Sequence, residues 1–168
     1  MQSKRNTSIV FIGKGGQGVL TASSITARTF FLSGYDVKKS DMKGIARRGG
    51  KVLSTLVAGK KVYDPKVIPE IADIAVVLSN EVGLIFSEMT TVILPTDKEI
   101  TKYNRSLNMF CLGRLSNFLD LPIEHWEIAV SERFESAVSK NNLLAFYQGR
   151  ETGEIIHSKN DQIVQRFF

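Results

Sequence analysis

The chain has 168 residues, 43% hydrophobic and 23% charged, with a single cysteine and a net charge of +5. That length suffices for one domain with a genuine core, and one cysteine excludes an internal disulfide or a zinc or iron–sulfur site built from this chain's own cysteines. No apolar run approaches the ~18 residues of a membrane span, and the opening residues lack the long apolar segment of a secretory signal, so the expected setting is the cytoplasm with no membrane partner.

The charge is unevenly spread. Residues 1–61 carry a net +10 and residues 62–168 a net −5. A half this basic suits an anionic partner, either nucleotide phosphates or an acidic protein surface, and the plainer alternative is a solvated basic face. Nucleic acid is not expected, because the basic residues are not interleaved with aromatic ones.

Ser8-Ile9-Val10-Phe11-Ile12 is a short β-rich run ending in glycines and reads as a buried strand. From Gln17 to about Leu32 apolar residues recur at helical spacing, and Gly34 supplies a C-terminal stop. Tyr35 to Ser40 reads as a second strand, which makes a βαβ opening. Asp41 to Gly50 reads as a charged loop, Lys51 to Ala58 as a strand, and Val62-Tyr63 as the return of a hairpin. Asp73 to Ser79 and Thr90 to Leu94 are further strand candidates, with a short helix expected at about Glu81 to Glu88 between them.

Beyond Leu107 the pattern turns helical. One amphipathic stretch runs from Leu107 to Leu119, a second from Ile123 to Phe134 behind Pro122, and a third from Asn141 to Gln148, closed by Gly149. The last twenty residues show no periodicity and read as a docking tail. No linker or repeat divides the chain. The expectation is one α/β domain over residues 1–168, with a glycine-loop half at about 1–95, a helical half at about 106–150 and a tail at 151–168.

The sharpest local feature is Gly13-Lys14-Gly15-Gly16-Gln17-Gly18, a G-x-G-x-x-G run between a strand and a helix. In such a loop Gly13 permits a tight turn, Gly15 lets backbone N–H groups approach an anion, and Gly18 permits close helix–strand packing. The helix N-terminus adds its positive end, so phosphate is the natural ligand; the plainer alternative is a tight turn without one. Lys38 and Lys39 stand where an NAD site would place an acid, which favours a phosphorylated nucleotide such as NADP or coenzyme A. Arg47 and Arg48, beside Gly49-Gly50, suit bidentate phosphate contact on a loop, or equally a solvated loop or a subunit salt bridge. Catalytic and metal constellations are not found. His125 and Trp126 read as helix surface and packing, and Cys111 as core.

Gly13 to Ala22, Gly34-Tyr35-Asp36-Val37 and Arg48-Gly49-Gly50 together resemble the γ domain of 2-oxoacid:ferredoxin oxidoreductases, most of all the small β subunit of indolepyruvate:ferredoxin oxidoreductase. Ile71-Ala72-Asp73, Leu112-Gly113-Arg114-Leu115, Phe134 and Asn142 to Gly149 fit as well, so the resemblance covers most of the chain. It implies a Rossmann-like three-layer fold with a mostly parallel sheet and a helical C-terminal portion. It further implies a non-catalytic subunit of a complex that decarboxylates a 2-oxoacid to an acyl-coenzyme A. In that complex thiamine diphosphate and iron–sulfur clusters sit in larger partner subunits, ferredoxin accepts the electrons, and this chain assists assembly and coenzyme A binding through the glycine loop and its basic neighbours. A free-standing nucleotide-binding regulatory module is the competing reading. One departure stands out: only Thr96 to Ser106 separate the strand at Thr91–Leu94 from Leu107, where the family usually runs on through a further strand.

Overall fold

In the computed structural model, which describes residues 6–43, 50–79, 86–152 and the backbone of 156–157, the sheet grows outward from β1 (Thr7–Lys14). Its alternation sends Ile9 and Phe11 to one face and Val10 and Ile12 to the other, all fully buried, as a central strand requires. On one side β1 pairs antiparallel with β3 (Lys51–Gly59), which pairs antiparallel with the edge strand β2 (Asp36–Lys43). On the other side it pairs parallel with β4 (Ile74–Val77), which pairs parallel with β5 (Thr91–Ile93). A two-residue β6 (Ile156–His157) closes that flank antiparallel to β5.

Among the described residues the sheet therefore runs β2-β3-β1-β4-β5-β6, with β1, β2, β4 and β5 in one direction and β3 and β6 in the other. The sheet is mostly, not wholly, parallel. The βαβ opening has the expected direction, but β3 is inserted between its two strands. The expected return at Val62-Tyr63 does not form; Val62 N–H donates instead to the Asp36 carboxylate at 2.7 Å, and the hairpin partner of β3 is β2. That pairing extends β2 through Asp41–Lys43, which the sequence reading assigned to a loop.

The helices gather on one face. Helix α1 (Val19–Leu32) buries Val19, Ala22, Ile25, Thr26, Thr29 and Phe30, a stripe of period near 3.6. It ends because Gly34 adopts the left-handed conformation, with Gly34 N–H bonded to Phe31 O and Tyr35 N–H to Phe30 O. The Phe30 and Tyr35 rings then meet edge to face at 5.5 Å, the apolar contact that accompanies this cap. Helices α3 (Leu107–Ser116), α4 (Ile123–Arg133) and α5 (Ser136–Glu151) complete the layer over a core that includes Trp126, Phe110, Phe146 and Cys111.

Two departures in the helical half have clear causes. A seven-residue helix α2 (Asp97–Tyr103) follows β5, held by a capping box in which Thr96 and Glu99 exchange hydrogen bonds. Helix α5 starts earlier than Asn141 and runs past Gly149. That glycine is a contact point, because a Cβ there would overlap the Phe110 carbonyl of α3, and one on Gly113 would overlap the Phe146 carbonyl of α5. The two helices cross backbone to backbone.

The opposite face of the sheet buries Val10, Ile12, Leu53, Ala75, Val77 and Val92 beneath Ala72 and Phe86. Among the described residues this third layer is loop and one 3-10 turn (Pro69–Ile71). Of the helix expected at Glu81 to Glu88, residues 81–85 lie outside the described residues and Phe86–Glu88 are not helical. The edge beyond β5 is taken by β6, from the segment read as a patternless tail.

Candidate functional site: the glycine loop

Residues Lys14 to Gly18 turn the chain from β1 into α1 through two positive-φ glycines, Gly16 (95°) and Gly18 (77°). Gly18 is the N-cap of α1 and offers no side-chain cap, and no acid stands in the first turn. The N–H groups of Val19, Leu20 and Thr21 therefore end the helix uncapped at its positive pole. Beside them lies an open depression of about 460 Å³, lined by Lys14, Gly15, Gly16, Gly18, Val19, Leu20, Thr21 and Val52. Backbone donors, one lysine and a short apolar wall suit an anionic group joined to an apolar one.

The loop's own bonds revise the sequence reading of its residues. Gly15 lines the depression, as a residue without a Cβ can, but its own N–H donates to Gly50 O at 2.9 Å and ties the loop to the start of β3. Gln17 is folded inward. Its Oε1 accepts from Lys14 N–H at 2.7 Å, and its Nε2 donates to Leu78 O at 3.0 Å, just past β4. Ligands of open α/β sheets settle where crossovers diverge at the carboxyl ends of the strands. Here the Gln17 amide bridges the ends of β1 and β4, and the depression has Val52 of β3 in its lining.

The two lysines do not join this site. Lys38 and Lys39 are the third and fourth residues of β2, so their side chains leave opposite faces of the sheet. Lys39 Nζ contacts the Asp41 carboxylate at 2.6 and 2.7 Å and Ser23 Oγ at 3.4 Å. Ser54 Oγ joins the same cluster, 2.6 Å from Asp41 Oδ1 and 2.9 Å from Ser23 Oγ. This network ties α1 to the β2–β3 hairpin. The physical reason for the miss is the inserted strand: β3, not β2, flanks the glycine loop, with Gly13 in register with Val52 and Lys14 with Lys51. Lys43, at the end of β2, registers with Val52 in turn. Arg47 and Arg48 lie outside the described residues.

Asn108, on the first turn of α3, was missed altogether. It is buried beside Gly18, with Nδ2 3.4 Å from Gly18 O and Oδ1 accepting from Met109 N–H at 2.9 Å. A Cβ on Gly18 would overlap Nδ2. Cys111 is fully buried, and burial pushes its thiol up to about 12, so it offers no thiolate. His125 is half-buried, with Nδ1 2.8 Å from Ser33 Oγ. No helix among the described residues is long and apolar enough to cross a membrane.

Comparison with known proteins agrees with this architecture. Residues 8–92, half of the chain, match the family of pyruvate ferredoxin/flavodoxin oxidoreductases. Indolepyruvate oxidoreductase subunit IorB of Archaeoglobus fulgidus is 28% identical, over 84% of this chain and 92% of that protein. Pyruvate oxidoreductase subunit PORC of Thermotoga maritima superposes with a TM-score of 0.70 at 22% identity, covering 93% of this chain and 100% of that one. The 2-oxoglutarate:ferredoxin oxidoreductase of Magnetococcus marinus, solved with 2-oxoglutarate, coenzyme A and succinyl-CoA bound, superposes with a TM-score of 0.73 at 18% identity. There the match covers 89% of this chain and 31% of the longer one.

Proposed function

The chain belongs to the pyruvate ferredoxin/flavodoxin oxidoreductase family and is homologous to the IorB-type subunits of 2-oxoacid oxidoreductases; from that premise we propose that it is a non-catalytic subunit that binds coenzyme A and helps assemble the complex. The observation that carries this reading is the uncapped N-terminus of α1 opening onto a depression beside the glycine loop. A phosphate of the ligand sits against the N–H groups of Val19, Leu20 and Thr21, and the apolar part of the ligand lies along Val52. Lys14 supplies a cation at the rim, and Arg47 and Arg48, which stand between β2 and β3 in the sequence, are assigned further contacts to the phosphate. Indolepyruvate is the favoured 2-oxoacid because of the likeness to IorB.

The chemistry itself belongs to partners. A single buried cysteine cannot hold an iron–sulfur cluster, so the clusters are assigned to larger subunits, and thiamine diphosphate is assigned there with them on the family likeness, with ferredoxin as acceptor and the cytoplasm as setting. The test is a native pull-down followed by identification of partners and metal content. Recovery of a larger subunit carrying thiamine diphosphate and iron, with coenzyme A bound more tightly by the complex than by that subunit alone, is the expected result. A chain that purifies alone and binds NADP in preference to coenzyme A would instead be a free-standing nucleotide-binding module.

A further inference from the structure

We infer that Gln17 and Asn108 are positioning residues, two side-chain amides that clamp the glycine loop so that the first-turn donors of α1 face the depression. The inference rests on the anion-site reading above and concerns what holds that site in shape.

Gln17 clamps the loop from the strand side. Its amide takes the N–H of Lys14 and gives a hydrogen to Leu78 O, while its own N–H donates to Lys14 O at 3.1 Å. The turn is thus closed twice and fastened to the end of β4. Asn108 clamps it from the helical half. Its Oδ1 is held by Met109 N–H, which leaves Nδ2 pointing at Gly18 O, the same carbonyl that accepts Ala22 N–H at 2.9 Å to start α1. Gly18 sets the direction in which Val19, Leu20 and Thr21 present their N–H groups, so a group that fixes Gly18 fixes the whole fan of donors.

The glycines themselves record the clamp. A Cβ on Gly13 would stand 2.8 Å from both Gln17 Oε1 and Val19 Cγ2, and one on Gly18 would overlap Asn108 Nδ2, whereas a Cβ on Gly16 would meet nothing within 4 Å. Gly18 thus makes room for the Asn108 amide, Gly13 for the Gln17 amide together with a Val19 methyl, and Gly16 alone of these three faces open space. Neither amide lines the depression. Both act through the backbone, which is the arrangement that holds a binding constellation in a fixed geometry.

The experiment uses the full chain, wild type and the variants Gln17→Glu, Asn108→Ala and Asn108→Ser, with pyrophosphate and coenzyme A as probes. Amide hydrogen exchange is followed at Gly16 to Thr21 without ligand, affinity by titration, and folding by thermal melting. Gln17→Glu keeps the acceptor for Lys14 N–H and removes the donor to Leu78 O. Asn108→Ser, the smaller change, stands in if Asn108→Ala does not fold. The expected result is faster exchange at Gly16 to Thr21 and affinity lower by about tenfold or more, the usual scale for losing a supporting contact, in variants that still melt cooperatively. Variants that melt at lower temperature yet bind both probes as tightly as wild type would overturn the positioning role and leave the site in place. A wild-type chain that binds neither probe would overturn the site itself, and the positioning role with it.

Discussion

Arg114 Nη2 donates to Glu99 Oε1 at 2.6 Å and Nη1 to Glu99 Oε2 at 3.1 Å, a bidentate pair joining α3 to α2 with the guanidinium only 5% exposed. Glu99 is already occupied on its own helix, since Oε2 also accepts Thr96 N–H at 2.8 Å as part of the capping box. One carboxylate therefore starts α2 and fastens it to the core, while the guanidinium lies over the Phe110 ring at 4.6 Å. Such a pair, once formed, is costly to break from one side because the other charge is left buried.

Replacing Arg114 by alanine should lower stability by about 3–5 kcal/mol, read as a shift in the urea midpoint without a change in slope. Arg114→Lys should recover little, because an ammonium cannot match both carboxylate oxygens. The double change Glu99→Gln with Arg114→Met should cost less than the sum of the single changes, since both halves of one interaction leave together.

The crossing of α3 and α5 gives a second prediction. Gly113→Ala and Gly149→Ala each drive a methyl group into a backbone carbonyl of the facing helix, which no rotamer relieves. Each should cost about 1–3 kcal/mol or more, as overpacking does. Gly16→Ala meets open space, so its cost should be only the strain of a positive φ, about 1–2 kcal/mol. Denaturant unfolding of the three variants separates steric from conformational cost.

Cys111 should resist alkylation in the native state. Burial holds its thiol protonated up to about 12, with Glu99 adding to the effect and Arg114 opposing it. A disulfide-exchange reagent at pH 8 should find one reactive thiol in denaturant and almost none before it. The linkage has a definite sign: the folded value is raised, so the native state keeps its proton longer than the unfolded chain. Stability from this group is complete below the unfolded pKa near 9 and falls as pH rises toward 12.

Glu132 should titrate the other way. The hydrogen bonds from Arg28, at 2.7 and 2.9 Å, hold its carboxyl below the ordinary glutamate value. Its contribution is present above the unfolded pKa and is lost as pH falls through the folded one. Both side chains are substantially exposed, so the effect is small and screened by salt. A carboxyl-carbon NMR titration should show Glu132 returning to its ordinary value in Arg28→Gln or in high salt.

Much of this architecture is legible along the chain because it depends on local periodicity. The alternation of Ile9 to Ile12, the helical spacing from Val19 to Phe30 and the stop at Gly34 each act within one turn or strand. The same holds for Pro122 ahead of α4. Helix α2 carried a readable signal, Thr96 followed three residues later by Glu99, but at seven residues it shows too little apolar periodicity to declare itself.

By itself the sequence determined the α/β class, the place of the glycine loop between strand and helix, and the family likeness carried by Gly13 to Ala22. These are properties of neighbours in the chain, set by backbone freedom, turn chemistry and hydrophobic period. Only the tertiary structure decided that β3 inserts beside β1, because strand neighbours are chosen by long-range pairing that a strand's own residues do not encode. That choice set Lys38 and Lys39 a strand away from β1 and brought Val52 beside Gly13. The pairing of β1 with β4 brought Leu78 O within reach of the Gln17 amide. The approach of Asn108 to Gly18, 90 residues away, was decided in the same way, by packing the helical half onto the sheet.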